Sequence, residues 1–308
     1  MSVSLQTNTA PSSRLSTVDF AMLLVMLIWG VNAPIVKASL HGWDPLAFNA
    51  IRFPAAAIVT FTYVVITDKG WRLDRKDFWY VVVLGLVGNG LYQFLYVESI
   101  SRTTASNTSL IIAMSPLVVT IWGGLAKTDR VTGWVVGGTL ISVAGAALVV
   151  LAKAGGFAFS GVTFVGDVIA VGSMFCWGAY TVYAKPVINR VGSPLRVTAW
   201  AMLFGAMTNF AVGLPGLLRQ DYSAITGASV AGMTFSFLLA LALGYVTYNW
   251  AVQRLGGART AIYLNLSPII AGISSWLMIN EGWAPWQWVG ALLVIGGVTV
   301  AKMEAIRG

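Results

Sequence analysis

Residues 19–37 read DFAMLLVMLIWGVNAPIVK, and residues 167–185 read DVIAVGSMFCWGAYTVYAK. Both fit D-x9-W-G-x6-K, so Asp19, Trp29-Gly30 and Lys37 of the first half return as Asp167, Trp177-Gly178 and Lys185 of the second. The correspondence extends outward from these segments. Tyr96 and Arg102 return as Tyr248 and Arg254, Ser115-Pro116 as Ser267-Pro268, and Trp134, Gly138 and Gly145 as Trp286, Gly290 and Gly297. A long apolar pattern stated twice is the mark of a membrane transporter assembled from internal repeats.

Composition narrows the class further. The 308 residues are 57% hydrophobic and 10% charged, against about 25% charged in a soluble domain. Too little charge exists to cover such a chain in water, so its solvent, and its first partner, is the lipid bilayer. The net charge of +8 is no sign of nucleic-acid binding, because the basic residues sit in short loops beside apolar runs. A lone cysteine, Cys176, excludes an internal disulfide, and a lone histidine, His41, excludes a multi-histidine metal site. No metal or cofactor is expected.

Gly, Pro and charge divide the chain into ten candidate spans, near 18–40, 45–67, 77–99, 104–126, 131–152, 164–187, 194–217, 228–252, 258–280 and 285–303. Residues 1–17 read as a polar cytoplasmic tail with no cleavable signal peptide. Residues 18–152 form one five-helix repeat, 153–163 a connecting loop, 164–303 the second repeat and 304–308 a short cytoplasmic tail. With the N-terminus inside, fourteen Lys and Arg lie on the inner side and four (Lys37, Arg102, Lys153 and Arg219) outside. That asymmetry orients the chain N-in and C-in. An odd number of spans per half forces the second half to enter from the opposite face. The expected fold is therefore all-α and integral to the membrane, with ten transmembrane helices as two inverted repeats and a solute site between them.

The two W-G-x6-K stretches, Pro45 with Arg52 in the second span, the Ser-Pro pairs of the fourth and ninth spans, and the Gly-rich fifth and tenth spans together resemble the drug/metabolite transporter superfamily, specifically its EamA-type ten-helix members. The resemblance runs from Asp19 to Lys302. It implies a basket-like bundle around a central cavity, working as a bacterial inner-membrane exporter of small metabolites. The aromatic character is most similar to YddG-type exporters of aromatic and other neutral amino acids. Purines, other metabolites and cationic drugs are also exported by members of that superfamily.

Candidate solute contacts follow from helical spacing. Asn89, Tyr92, Gln93 and Tyr96 fall at i, i+3, i+4 and i+7, one polar-aromatic stripe that cannot face lipid without stranding its amides. Tyr245, Tyr248 and Asn249 answer it in the second half, and Trp29 with Asn32, and Trp177 with Tyr180, share faces of the first span of each repeat. Ser115 and Ser267 precede prolines that free a carbonyl one turn earlier, which suits either a polar anchor or a hinge. Two such walls would enclose a solute of amino-acid size; polar contact between helices is the competing reading.

Arg52, about two turns into its span, is read as snorkelling to the outer face, with a cavity charge as the alternative. Lys37 and Lys185 read as gates or anchors. Gly133 and Gly137 read as close helix packing or a dimer contact, so the expected state is a monomer or a weak homodimer. The single interior-leaning carboxylate, Glu98, has Arg102 four residues on, an intrahelical pair, so the expected mechanism is export down a gradient by rocking of the halves. A channel would want rings of charge, and an enzyme a nucleophile or metal motif; neither pattern is present.

Overall fold

The computed structural model describes residues 16–40, 42–68, 70–103, 108, 111–154, 164–279 and 284–302. Residues 1–15 of the expected tail, residues 155–163 of the connecting loop, His41 and residues 304–308 lie outside them. Among the described residues the structure is helical throughout, with ten rods: α1 (Thr17–Ser39), α2 (Pro45–Thr67), α3 (75–102), α4 (Ser115–Leu125), α5 (Gly133–Ala154), α6 (Phe164–Val191), α7 (Pro194–Arg219), α8 (227–255), α9 (257–279) and α10 (Pro285–Lys302). Seven of these, all but α4, α9 and α10, are long and apolar enough to cross hydrocarbon, and Ile111–Leu125 and Pro285–Ala301 are shorter apolar helices.

Local chemistry sets the helix ends. Ser16 and Asp19 form a reciprocal capping box at the start of α1, satisfying backbone donors that have no partner within the helix. Asp44 and Ser193 cap α2 and α7, and each is followed by a proline at the first helical position, where the missing N–H costs nothing. Gly256 separates α8 from α9 at φ 92°, a conformation only glycine adopts freely. In α9, Pro268 withholds the hydrogen bond owed to the previous turn, and that turn, Tyr263–Asn265, tightens to a 3₁₀ helix. In α4, Pro116 leaves the Ile112 carbonyl free, and the Ser115 hydroxyl donates to it at 2.5 Å.

Packing reveals the inversion. Equivalent helices α5 and α10 lie side by side, as do α2 and α7. The first pair crosses at glycines: a Cβ at Gly138 would meet the Gly297 carbonyl oxygen at 2.5 Å, and one at Gly145 the Gly290 oxygen at 2.6 Å. The residue number rises along one helix as it falls along the other, so the pair is antiparallel. In the second pair Gly213 abuts Leu46 and Ala50 while Met202 abuts Thr60, again antiparallel. Equivalent helices running in opposite directions require a two-fold axis perpendicular to them, the geometry of inverted repeats. The remaining contacts obey it: α1 packs on α8 and α9, and α6 packs on α3 and α4.

Gly133 and Gly137 do not make the expected helix packing within the chain, since a Cβ at either meets nothing within 4 Å. The close approach belongs to Gly138 and Gly145, on a different face of α5, and to Gly290 and Gly297 of α10. Elsewhere the outer surface is apolar, with Leu125, Leu218, Ile66 and Leu292 each 70–80% exposed, as lipid requires.

Charge is held at the ends of the bundle. At one end Arg196 pairs with Asp68 at 2.9 Å, Arg190 with Asp77 at 2.8 Å and Lys185 with Asp129 at 2.8 Å. At the other, Arg102 pairs with Glu98, Thr103 donates to Asp167 at 2.6 Å, and the Asp44 backbone donates to Gln220 at 2.9 Å.

Candidate functional site

Both α3 and α8 leave the α-helical register halfway along. Leu86–Leu91 and Ser236–Leu243 are π-helical, closing bonds from i to i+5 and inserting residues into the turn. Gln93 and Tyr245 are repeat equivalents, and the same offset of 152 residues carries Leu86–Leu91 onto 238–243, inside the second π segment. The device is therefore shared by the two repeats and sits beside the residues singled out above.

Below those turns, rings from four helices converge. Trp177 on α6 lies 5.2 Å from Tyr92, 5.3 Å from Tyr248, 5.6 Å from Tyr180, 5.7 Å from Tyr245 and 6.0 Å from Trp29. Trp29 on α1 lies 5.6 Å from Tyr248 and 5.8 Å from Tyr245, and Tyr92 and Tyr96 stack at 6.0 Å. These are the separations of offset and edge-to-face ring contacts. The equivalent tryptophans Trp29 and Trp177 meet near the centre, so both repeats contribute to one box.

Polar groups fix the rings. The Trp29 indole donates to the Ala240 carbonyl at 2.8 Å within the second π segment, where disturbed backbone bonding leaves acceptors available. Asn249 donates to the Tyr180 hydroxyl at 2.6 Å and to Thr198 at 2.7 Å. Tyr248 and Thr181 share a hydrogen bond of 3.2 Å, and Gln93 lies against the Tyr245 hydroxyl.

Asn89 lies within the π turn of α3, where the spacing of a regular α-helix does not hold. It packs on Gly205 of α7, its carbonyl accepts from Asn209 at 3.0 Å, and its side chain lies against the Tyr180 hydroxyl. Not every candidate residue reaches the box. Asn32 is half-buried on α1 with its carbonyl oxygen unpartnered. Ser115 is engaged by its own helix, and the Ser267 hydroxyl points at the Met26 sulfur at 3.5 Å.

Side chains outside the spaced stripes also contribute, and Arg52 takes the buried alternative rather than the snorkelling one. Arg52 does not snorkel: it is 6% exposed, donates to Ser236 at 3.1 Å, and lies over the Phe48 and Phe53 rings at 5.7 and 5.3 Å. The Tyr245, Tyr96 and Tyr92 hydroxyls are near enough to feel its charge. A usable signal was present in α2, where Phe48, Arg52, Ala56 and Thr60 recur every four residues on one buried face. Asn209, Ser236, Thr181 and Thr198 carry no such signal, being isolated polar residues in apolar runs. Among the described residues no cluster of three or more His, Cys, Asp or Glu side chains could hold a metal.

The model of the EamA-like transporter family matches residues 16–151 and again 164–303. The chain belongs to the EamA-like transporter family. Relatives agree over nearly full length. The transporter YyaM of Bacillus subtilis (strain 168) is 27% identical over 92% of this chain and 93% of its own. A probable terminal-alkyne amino-acid exporter of Streptantibioticus cattleyicolor is 27% identical over 95% of this chain and 96% of its own. A crystal structure with 18% identity superposes with a TM-score of 0.81, covering 96% of this chain and 99% of that one, which speaks to the fold alone. This EamA-like protein is thus a multi-pass membrane transporter of small molecules, not an enzyme. Its aromatic box draws rings from both repeats.

Proposed function

We propose that this transporter exports neutral amino acids, aromatic ones foremost, across a bacterial inner membrane by alternating access. The observation that carries the reading is the box itself: Trp29, Tyr92, Tyr96, Trp177, Tyr180, Tyr245 and Tyr248 come from both repeats and present ring faces beside Gln93 and Asn249. A mostly aromatic lining with a few convergent polar groups suits an amphipathic solute of amino-acid size. The amino-acid exporter among the relatives supports the same class. The basic residues at the Asp68, Asp77 and Asp129 end support an N-in, C-in orientation.

Transport runs down the solute gradient in this reading. Of the shielded carboxylates, Asp19 accepts from Tyr263 and Asp167 from Thr103, both near helix starts, and Asp129 is paired with Lys185; the part-exposed Glu98 is paired with Arg102. Purified protein in liposomes loaded with labelled phenylalanine, leucine, threonine, a purine and a cationic dye tests the assignment. Faster release of phenylalanine and leucine than from protein-free liposomes is expected. Release of only the purine or the dye would remove the amino-acid assignment.

A further inference from the structure

Arg52 is the one cation in the described interior of the bundle, and the fold gives it little. A guanidinium carries five N–H donors in a rigid fork. Here one nitrogen donates to Ser236, and the buried Nε has no partner. The described ion pairs occupy Arg102, Lys185, Arg190 and Arg196, and none offers a carboxylate to Arg52. The Phe48 and Phe53 rings supply cation–π attraction only. A charge held inside a membrane protein with its fork unfilled is costly unless something completes it.

Position specifies what completes it. Counting from the Asp44 cap, Arg52 lies about 12 Å along α2 at ~1.5 Å per residue, level with the Tyr92–Tyr96 stack on antiparallel α3. Its partner Ser236 opens the π segment whose Ala240 carbonyl holds Trp29, and the Tyr92, Tyr96 and Tyr245 hydroxyls lie near enough to feel its charge. The repeat does not duplicate it. Pro45 corresponds to Pro194, and the same step carries Arg52 to Ala201, which is fully buried. The box therefore has one positive pole, on the α2 side, with no counterpart from the second repeat.

We infer that Arg52 is the anchor for a carboxylate on the transported solute, received through the fork while the solute's apolar body lies against the rings. This rests on the aromatic box being the solute site. It narrows the solute class to carboxylates with an apolar or aromatic body, amino acids among them, and excludes amines that lack the acid. A guanidinium and a carboxylate match in two parallel hydrogen bonds, and the unpaired positive charge repels a cation entering the same space. Lysine at this position would keep the charge but lose the fork.

The test uses four matched compounds on the purified full-length protein: phenylalanine, phenylpropionate, benzoate and phenethylamine. Binding is read as a shift in thermal midpoint, and transport as inhibition of labelled phenylalanine counterflow in liposomes. Stabilisation by at least one carboxylate but not by phenethylamine is expected. Arg52→Gln should weaken that carboxylate's apparent affinity by about tenfold or more, the loss of a charge-assisted hydrogen bond, and Arg52→Lys should restore part of it. Binding of phenethylamine as tight as that of phenylalanine overturns the inference, as does binding of none of the three carboxylates. Both of those results come from the wild-type protein and hold even if the variants fail to fold. Phenylalanine transport unchanged in a folded Arg52→Gln variant also overturns it while leaving the amino-acid assignment intact. Binding of phenylpropionate or benzoate but not phenylalanine, with loss in Arg52→Gln, upholds the anchor and refutes the amino-acid assignment.

Discussion

Gly137 and Gly138 are neighbours in α5, and replacing each by alanine should have opposite effects. A Cβ at Gly137 meets nothing within 4 Å. The substitution there removes the backbone entropy that glycine forfeits in a helix, a gain of up to about 1 kcal/mol. A Cβ at Gly138 would lie 2.5 Å from the Gly297 oxygen and 2.6 Å from the Ala301 nitrogen. Both are backbone atoms, so no side chain can rotate away. Since ordinary contact begins at 3.4 Å, α5 and α10 must part by about 0.9 Å, and overpacking of this kind costs ~1–3 kcal/mol. The propensity gain recovers part of this, leaving Gly138→Ala net destabilising by up to about 2 kcal/mol. The measurement is the thermal or denaturant midpoint of each purified variant, with Gly145→Ala beside them as a second crossing position. Midpoints should hold or rise for Gly137→Ala and fall for Gly138→Ala and Gly145→Ala. Equal midpoints for the two neighbouring variants would refute the claim that the repeats meet through a backbone crossing.

Asp129 ties Lys185 to the start of α9, accepting from Lys185 at 2.8 Å and from the Ala258 backbone at 3.1 Å. Asp129→Asn should open that end of the bundle, seen as faster labelling of a Thr181→Cys probe by an impermeant maleimide in a Cys176→Ser background; an unchanged rate would count against a closure role. Asn249→Ala removes the buried amide that donates to the Tyr180 and Thr198 hydroxyls, of which Thr198 keeps its bond to the Pro194 carbonyl, and should lower stability by about 1–3 kcal/mol, read as a reduced thermal midpoint. Trp177→Ala removes the ring that touches five others in the box and should reduce transport at least about tenfold through lost contact area, with unchanged flux in liposomes the contrary result.

The architecture was legible because it depends on features that survive in one dimension. The recurrence of Trp29-Gly30 and Trp177-Gly178, the Ser-Pro pairs and the alternation of apolar runs with charge all follow from covalent order and bilayer thickness. So was much of the box, since tryptophan and tyrosine spaced along a span must share a face when the helix is regular. The π turn that holds Asn89 was not legible, because the sequence of Leu86–Leu91, LVGNGL, carries no proline to announce it. Glycines were ambiguous for the same reason: Gly133, Gly137, Gly138 and Gly145 look alike in sequence, and only the neighbour across the gap separates a crossing point from an open face. Arg52 stays open in the sequence because snorkelling and inward rotation are both available to a long side chain two turns into a helix, and its partner Ser236 lies far away in the chain.

The crossing of α5 with α10 has a consequence for how such a molecule could be divided. Each member of that pair touches its own repeat equivalent, and so do α2 and α7, so both contacts are isologous in the manner of a symmetric dimer. In α5 and α10 the register is self-complementary, because Gly138 and Gly145 of one half correspond to Gly290 and Gly297 of the other. Two copies of either half, inserted in opposite orientations, would meet at the same glycines in that pair without a covalent link. What such an assembly would lose is its polarity of charge. In the fused chain Arg52 has Ala201 as its repeat equivalent, whereas a doubled first half would carry two arginines and a doubled second half none.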